Sequence, residues 1–318
     1  MKHQKILTAL LWLFPICFSA SGKVQDFKKM WIEKDAAKRM SFQDKLQAVL
    51  DVTSKKEFDT FDNDPRAKSS NPALQFYDLC LDRLAEDIPR TEVRPGTVVI
   101  WYLYNMGFVI KTPTVCFGVD IHHRRAVKLA GVLDFSVTTH NHDDHWSMPL
   151  LNTLNDNGKP LVTNFYPNLF YTKARSFTHN ISGVTIHCGE ADHKPTLKKF
   201  TMPMEIVCPT GDKQFVFFTS GDCWSHEFLE KKSEKIDLYA VHPRCGMKAV
   251  NAALKLHPQL TFIAHLHELG HDINVWRWKF ADGRSELEEF SKNGQAAYVP
   301  VWGEKFLWDG EKIHGCRE

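Results

Sequence analysis

The stretch Val132-Leu133-Asp134-Phe135-Ser136-Val137-Thr138-Thr139-His140-Asn141-His142-Asp143-Asp144-His145 decides how the rest of the chain is read. Its first six residues are mostly apolar and suit a buried strand. Its end sets three histidines and an aspartate in the order His-x-His-x-Asp-His. Side chains alternate along a strand, so His140 and His142 at a strand end project to the same side. Asp144 and His145 follow on the turn and reach a second point close by. Imidazole nitrogen and carboxylate oxygen are ligands that zinc, manganese and iron accept. One short loop can therefore seed two adjacent metal ions, the arrangement that activates a water and clamps a leaving oxygen. The competing reading is a solvated, His-rich surface loop, which a chain with 16 histidines permits. The order of strand and then this spacing weighs against it.

Working outward, the chain has 318 residues, 43% hydrophobic and 12% aromatic, enough for one large domain with a smaller appendage. A net charge of +2, with no basic run beyond short clusters such as Lys231-Lys232, argues against a nucleic-acid partner and leaves a small molecule as the substrate. Lys2 and Lys5 precede an apolar run from Ile6 to Phe18, and Ser19-Ala20-Ser21-Gly22 follow. Residues 1–22 therefore read as a secretory signal peptide cleaved near Ala20 or Gly22, and the protein as exported, periplasmic or secreted. The run is too short, and too interrupted by Pro15, for a transmembrane helix, and no other stretch spans a membrane. Cys17 offers a lipid anchor as the alternative, although Phe14-Pro15-Ile16 fits a lipoprotein box poorly. Export permits disulfides, but the seven remaining cysteines are odd in number and show no paired C-x-x-C, which suits buried singletons.

Residues 23–95 are charged and helix-prone. Phe27, Met30 and Trp31, then Leu46, Val49 and Leu50, fall at helical spacing, and Leu74 to Leu81 form another helical run. Asp62 to Pro65 and Ser69 to Pro72 are loop signals between them. This is a small helical extension that packs on the main domain or covers the entrance to its site. Pro95-Gly96 marks the start of that domain, 96–318. Thr97 to Tyr104, Gly107 to Lys111 and Thr114 to Asp120 read as strands. Further strands are expected at Pro160 to Asn164, Val184 to His187, Phe215 to Thr219, Asp237 to Val241, Leu260 to Ala264 and Ala297 to Trp302. Helices are expected from Met148, over Met247 to Leu256 and over Ser285 to Lys292. Strands first, then βα alternation, predict an α/β fold of two sheets packed face to face with helices outside.

Thr139 to His145 reads T-H-x-H-x-D-H without departure and resembles the signature of the metallo-β-lactamase superfamily of hydrolases. The resemblance implies the four-layer αββα sandwich over about Thr97 to Trp308, and two divalent metal ions. Zinc is the first choice, and manganese or iron would use the same ligands. It carries His140, His142 and His193 to the first metal. Asp144, His145 and His265 go to the second, with Asp222 of Thr219-Ser220-Gly221-Asp222 bridging the two. His187 competes with His193 but lies inside a strand run. Asp120 matches the aspartate that ends the opening meander and supports the metal loop from beneath. The implied activity is hydrolysis of an ester, lactone or phosphodiester by a metal-activated water. Asp144 orients that water, and His242 or His267 donates to the leaving group. Trp101 to Phe108 resembles the branch that contains ascorbate-6-phosphate lactonase and the N-acylphosphatidylethanolamine phospholipases. The di-iron oxygenase branch would carry a Glu where His142 stands.

Two other readings compete. His267-Glu268-Leu269-Gly270-His271 is also H-E-x-x-H, the zinc-peptidase signature, in which i and i+4 histidines share a helix face and Glu268 serves as base. Against it, the preceding Leu260 to Ile263 reads as strand, position 277 is Arg where a metzincin needs its third histidine, and His140 to His145 go unexplained. Glu286 or Glu288 would have to complete a gluzincin site. The second alternative is a non-catalytic metal-binding protein, which the intact ligand set argues against.

Overall fold

The computed structural model describes residues 36–171, 176–273 and 275–316. The expected signal peptide, Cys17 and the Phe27 to Trp31 stretch lie outside them. Three helices come first: α1 (Ala36–Leu50), α2 (Lys55–Asp62) and α3 (Pro72–Arg90). Then follow β1 (Val98–Tyr102), β2 (Phe108–Lys111), β3 (Cys116–Val119), β4 (Phe135–Val137), α4 (Met148–Asp156), β5 (Leu161–Val162), β6 (Phe177–Ile181), β7 (Val184–Cys188), β8 (Met204–Pro209) and β9 (Gln214–Thr219). The chain continues with β10 (Ile236–Val241), α5 (Ala249–Leu256), β11 (Pro258–Ile263), α6 (Phe280–Lys292), β12 (Ala297–Tyr298), β13 (Lys305–Trp308) and β14 (Ile313–Gly315).

The strands form two seven-stranded sheets, β14-β13-β1-β2-β3-β4-β5 and β12-β11-β10-β9-β8-β7-β6. Each mixes an antiparallel meander with parallel strands: β3, β4 and β5 run parallel in the first sheet, and β9, β10, β11 and β12 in the second. Aromatic side chains from both sheets meet in the middle. Phe108 of β2 lies 5.4 Å from Phe217 of β9, Phe306 of β13 lies 4.6 Å from Phe262 of β11, and Trp308 lies 5.3 Å from Phe215. Such rings each bury a large apolar area and hold the sheets at a fixed spacing. Helices α3 and α4 flank the first sheet, and α5 and α6 the second, giving the αββα sandwich expected from the sequence.

The N-terminal helices share the sandwich's core rather than standing apart. Phe76 of α3 stacks on Trp302 at 6.2 Å, and Trp101 of β1 donates its indole N–H to Asp87 of α3 at 2.7 Å. This explains why every residue of β1 is buried: Ile100 and Tyr102 face the other sheet while Trp101 faces a helix. Arg39 of α1 pairs with the buried Glu304 and donates to Val299 O at 2.8 Å. Arg124, after β3, binds Asp78 of α3 and the carbonyl of Ala67 at 3.0 Å.

Several elements differ from the sequence expectation. The last expected strand is cut to Ala297–Tyr298 because Pro300 cannot continue a ladder. Helix α6 begins five residues before Ser285, at Phe280. Strands β6, β8, β13 and β14 and helix α2 carry weak local signals. Strand β8 contains Glu205, buried because it accepts from Lys232 N, Ser233 N and Ser233 Oγ at 2.7–2.9 Å.

Helix α2 is tied to the sandwich by an ion pair, His122 Nε2 to Asp62 Oδ2 at 3.2 Å, with little of either side chain exposed. Burial works against a charged His122, but Asp62 outweighs it and pushes the pKa up to about 9, while the Asp62 carboxyl is lowered from 3.8. A raised folded-state pKa stabilises fully below the unfolded value of 6.5 and loses its effect as pH rises through about 9. The depressed carboxyl sets the acid side, with its contribution present above about 4. We therefore expect His122→Gln to lower Tm most at pH 5–6.5, with the gap to wild type narrowing by pH 10. Thermal unfolding at the two pH values checks this, and a gap that stays constant contradicts it.

Candidate metal centre

The candidate site lies where the strand ends of both sheets converge. Strand β4 delivers the loop carrying His140 to His145, whose last three residues form a single 3-10 turn. The turn brings Asp144 and His145 back beneath His140. The loop after β7 brings His193, the end of β9 brings Asp222, the end of β10 brings His242, and the end of β11 brings His265.

The residues gather in two groups around Asp222. In the first, His140, His142, His193 and Asp222 place one nitrogen or oxygen each within 4.8 Å of one another. His140 Nε2 is 3.2 Å from His142 Nδ1, and Asp222 Oδ2 is 3.4 Å from His193 Nε2 and 3.8 Å from His140 Nε2. In the second, Asp144 Oδ2 is 3.6 Å from His145 Nε2 and 3.1 Å from His265 Nε2. Asp222 Oδ1 lies 3.4 Å from His145 Nε2 and Asp222 Oδ2 3.7 Å from His265 Nε2, so this carboxylate lies between both groups. Ligands about 2.0–2.1 Å from a tetrahedral zinc stand about 3.3 Å from each other, and the observed separations straddle that value. His193 Nε2, His145 Nε2, His265 Nε2 and Asp222 Oδ1 are buried without a hydrogen bond of normal geometry. Buried polar atoms are rarely left so, and a cation among them resolves the deficit. The residues present fit divalent metal ions.

Electrostatics point the same way. Burial pushes the His140 and His242 pKa values well below the usual 6.5, toward the neutral form. Burial also opposes charge on Asp144 and Asp222. The imidazoles around them, His145 first for Asp144 and His265 first for Asp222, outweigh it and hold both carboxyls well below the ordinary range. His145 is buried too, yet Asp144, Asp222 and Asp120 together pull its pKa well above 6.5. Three carboxylates thus draw positive charge onto one imidazole, charge that a metal ion held by His145 would supply in place of a proton.

A supporting layer fixes the imidazoles. Asp120 accepts from Thr139 N at 2.7 Å and Thr139 Oγ1 at 2.8 Å, and lies 3.1 Å from His145 Nδ1. Thr139 Oγ1 in turn sits 3.0 Å from His140 Nδ1, so one buried aspartate orients a histidine of each group. Gly221 makes the close approach possible. Its φ is +49°, and a Cβ there would lie 2.7 Å from Thr139 Oγ1. Phe200 covers the first group, with its ring 5.0 Å from that of His142.

Other expectations resolve as follows. His187 sits on β7, bonded to Thr178 Oγ1 at 3.0 Å, and is no part of either group. His242 lies within ligand distance of Asp222 and His265, but its Nδ1 accepts the Arg244 N–H at 3.0 Å. A neutral imidazole that accepts at Nδ1 carries its proton on Nε2, which makes that nitrogen a donor rather than a ligand. The H-E-x-x-H reading is corrected: Leu260 to Ile263 is strand, residues 264–273 form no helix, and His265 and His267 have φ near +57°. His267 turns away, its Nε2 accepting from Phe280 N at 3.0 Å, so His267 and His271 share no helix face. Asn105 escaped the sequence reading. It donates to Asp144 Oδ2 at 2.7 Å, and its own carbonyl accepts from His265 N at 3.0 Å. Its φ is +55°, a region that Asn tolerates, so an Asn two residues before Gly107 is the available signal, and it marks a turn rather than a role. Among the described residues all seven cysteines are free thiols, and no helix is long and apolar enough to cross a membrane.

No protein-family model and no curated protein matches the sequence. Solved structures do match in shape. Igni18, a novel metallo hydrolase from the hyperthermophilic archaeon Ignicoccus hospitalis, aligns at TM-score 0.51 and 16% identity over 67% of this chain and 98% of its own. The metallo-β-lactamase fold protein YhfI from Bacillus subtilis aligns at 0.48 and 14% identity, covering 67% and 98%. CmlA, a diiron β-hydroxylase from Streptomyces venezuelae, aligns at 0.48 and 12% identity, covering 69% and 54%. The αββα layers and the first of these likenesses together define the class: the chain has the metallo-β-lactamase fold.

We expect His142→Ala and Asp222→Ala each to strip bound metal while far-UV circular dichroism stays that of the folded chain; elemental analysis after gel filtration reads the loss. Asp120→Asn keeps every candidate ligand and should weaken metal affinity by about 10–100-fold, measured by competition with a chromophoric chelator.

Proposed function

We propose that the protein is a metal-dependent hydrolase with a binuclear site, His140, His142 and His193 on one ion, Asp144, His145 and His265 on the other, and Asp222 between them. The observation that carries this reading is the position of Asp222 between the two histidine groups, its carboxylate 3.4 Å from His193 Nε2 and 3.8 Å from His140 Nε2 on one side and 3.4 Å from His145 Nε2 and 3.7 Å from His265 Nε2 on the other. Zinc suits the nitrogen-rich set best. Bound divalent ions supply an acidified water and a positive charge for a developing oxyanion.

The chain's own residues do the rest. Asn105 locks Asp144, which accepts a hydrogen bond from the attacking water and aims it at the substrate carbonyl or phosphorus. His242, with its tautomer set by Arg244 N, offers Nε2–H to the charge that grows on a substrate oxygen. The site opens into a cavity of about 270 Å³ walled by Trp224, Trp278, Arg244 and Lys194, a size and lining that suit a small molecule. An ester, lactone or phosphodiester fits this chemistry. Export of the protein, with Lys2, Lys5 and the apolar Ile6 to Phe18 as its signal, belongs to the same proposal.

Chelation should abolish turnover of an activated ester or phosphodiester panel, and zinc should restore it. A fully metal-loaded protein that turns over none of them would favour a binding role. His242→Ala should keep full metal content while kcat falls about 10²–10³-fold, the usual cost of losing one oxyanion donor. Loss of metal in that variant would make His242 a ligand instead.

A further inference from the structure

We propose that His271, held by Glu268, protonates the leaving atom of the substrate; this rests on the hydrolase reading above. The His267 to His271 segment has no helix to present it as a peptidase site, yet its acid and last histidine form a built pair. Glu268 is only 2% exposed. Its Oε1 accepts from Gly270 N at 2.6 Å and from Tyr104 OH at 3.3 Å, and its Oε2 pairs with His271 Nδ1. A carboxylate on Nδ1 fixes the proton there, stabilises the imidazolium and leaves Nε2 as the nitrogen that can give up a proton. The loop is built to hold this pose. A Cβ at Gly270 would come 2.6 Å from Glu268 Oε1. Arg277 donates to His271 O at 2.5 and 3.0 Å and to Leu269 O at 2.8 Å, and reaches across to Thr53 O at 2.6 Å, between α1 and α2.

His271 stands at the junction of two cavities. One is the cavity of the metal groups, which it lines together with Asp144 and His242. The other, about 670 Å³, lies between α2 and the metal loop and also includes Asp144. A substrate whose scissile bond sits over the metal groups has room in the larger cavity for its leaving portion, and the bond then passes His271. Glu268 on its own loop is the group that favours the charged form of the imidazole; Asp144 and Asp222 across the site would be committed to the metal ions, Lys194 and Arg244 line the same cavity, and Lys55 of α2 at the other cavity's wall is paired with Asp59 at 2.5 Å. The Glu268 hydrogen bond outweighs burial and raises the His271 pKa. With 41% of its side chain exposed, His271 can recover a proton from solvent. In the step, the water oxygen, oriented by Asp144, bonds to carbon or phosphorus and its proton is lost to solvent. The bond to the leaving oxygen breaks with its electron pair, and that oxygen takes the proton from His271 Nε2.

The test compares zinc-loaded wild type, His271→Asn and Glu268→Gln on matched esters and phosphodiesters bearing either a 4-nitrophenyl group, which departs unaided, or an alkyl group, which needs a proton. The ratio of kcat for the activated over the alkyl substrate should rise about 10²-fold or more in His271→Asn. Independently of turnover, histidine ¹⁵N spectra should show Glu268→Gln lowering the His271 titration midpoint by about a unit or more. An unchanged substrate ratio overturns the acid role, and an unmoved midpoint overturns the part given to Glu268. No turnover of any probe by metal-loaded wild type removes the hydrolase reading and the acid role with it, while the titration result still reports on the pair.

Discussion

Three buried carboxylates, Asp120, Asp144 and Asp222, share one small volume with the imidazoles of the candidate centre. Burying like charges together is unfavourable unless counter-charge and hydrogen bonds are supplied in place. Much of the surrounding structure does this. Thr139 satisfies both oxygens of Asp120, Asn105 satisfies one of Asp144, and the histidines crowd the oxygens of Asp222. The Nε2 atoms of His145, His193 and His265 are among the buried nitrogens left without partners. Divalent metal ions would complete such a cluster, since they would supply charge and fill the nitrogen lone pairs at once.

The same economy links site and scaffold. The sheets are held at their spacing by Phe108, Phe217, Phe262 and Phe306, and it is from their strand ends that the candidate ligands emerge. The N-terminal helices are bound into this frame from two sides, through Asp62 to His122 and through Arg277 to Thr53. They therefore shape the larger cavity beside the metal groups. Loop 264–273 departs from regular structure with two histidines at positive φ, and that departure turns His265 to the candidate centre, His267 into the buried packing at the start of α6 and His271 to the cavity.

What was legible in the sequence follows from how local each signal is. The β4 strand and the His140 to His145 loop are continuous in the chain, so their spacing alone reports geometry. Gly221 beside Asp222 was legible because only glycine allows that approach. The two-sheet sandwich was legible from the order of apolar runs, but β6 was not, since its outward face is polar and exposed, nor β8, whose buried Glu205 interrupts the pattern. Helix α2 had its signals in Ser54, which caps Glu57 N, and in Phe58 and Phe61 three apart, but it is short enough to be lost among charges. The H-E-x-x-H segment misleads because i and i+4 share a face only on a helix, and the backbone turn at His265 and His267 leaves no mark in residue type. The roles of Asn105 and of the Glu268–His271 pair depend on partners 39 and 164 residues away, Asp144 and Tyr104, and only the folded chain brings these together.

Anomalous diffraction from crystals of the zinc-loaded protein decides whether Asp222 organises a two-metal centre. Two peaks are expected, one among His140, His142 and His193, the other among Asp144, His145 and His265, with Asp222 between them. A single peak, or a metal bound elsewhere with Asp222 uninvolved, would contradict that arrangement.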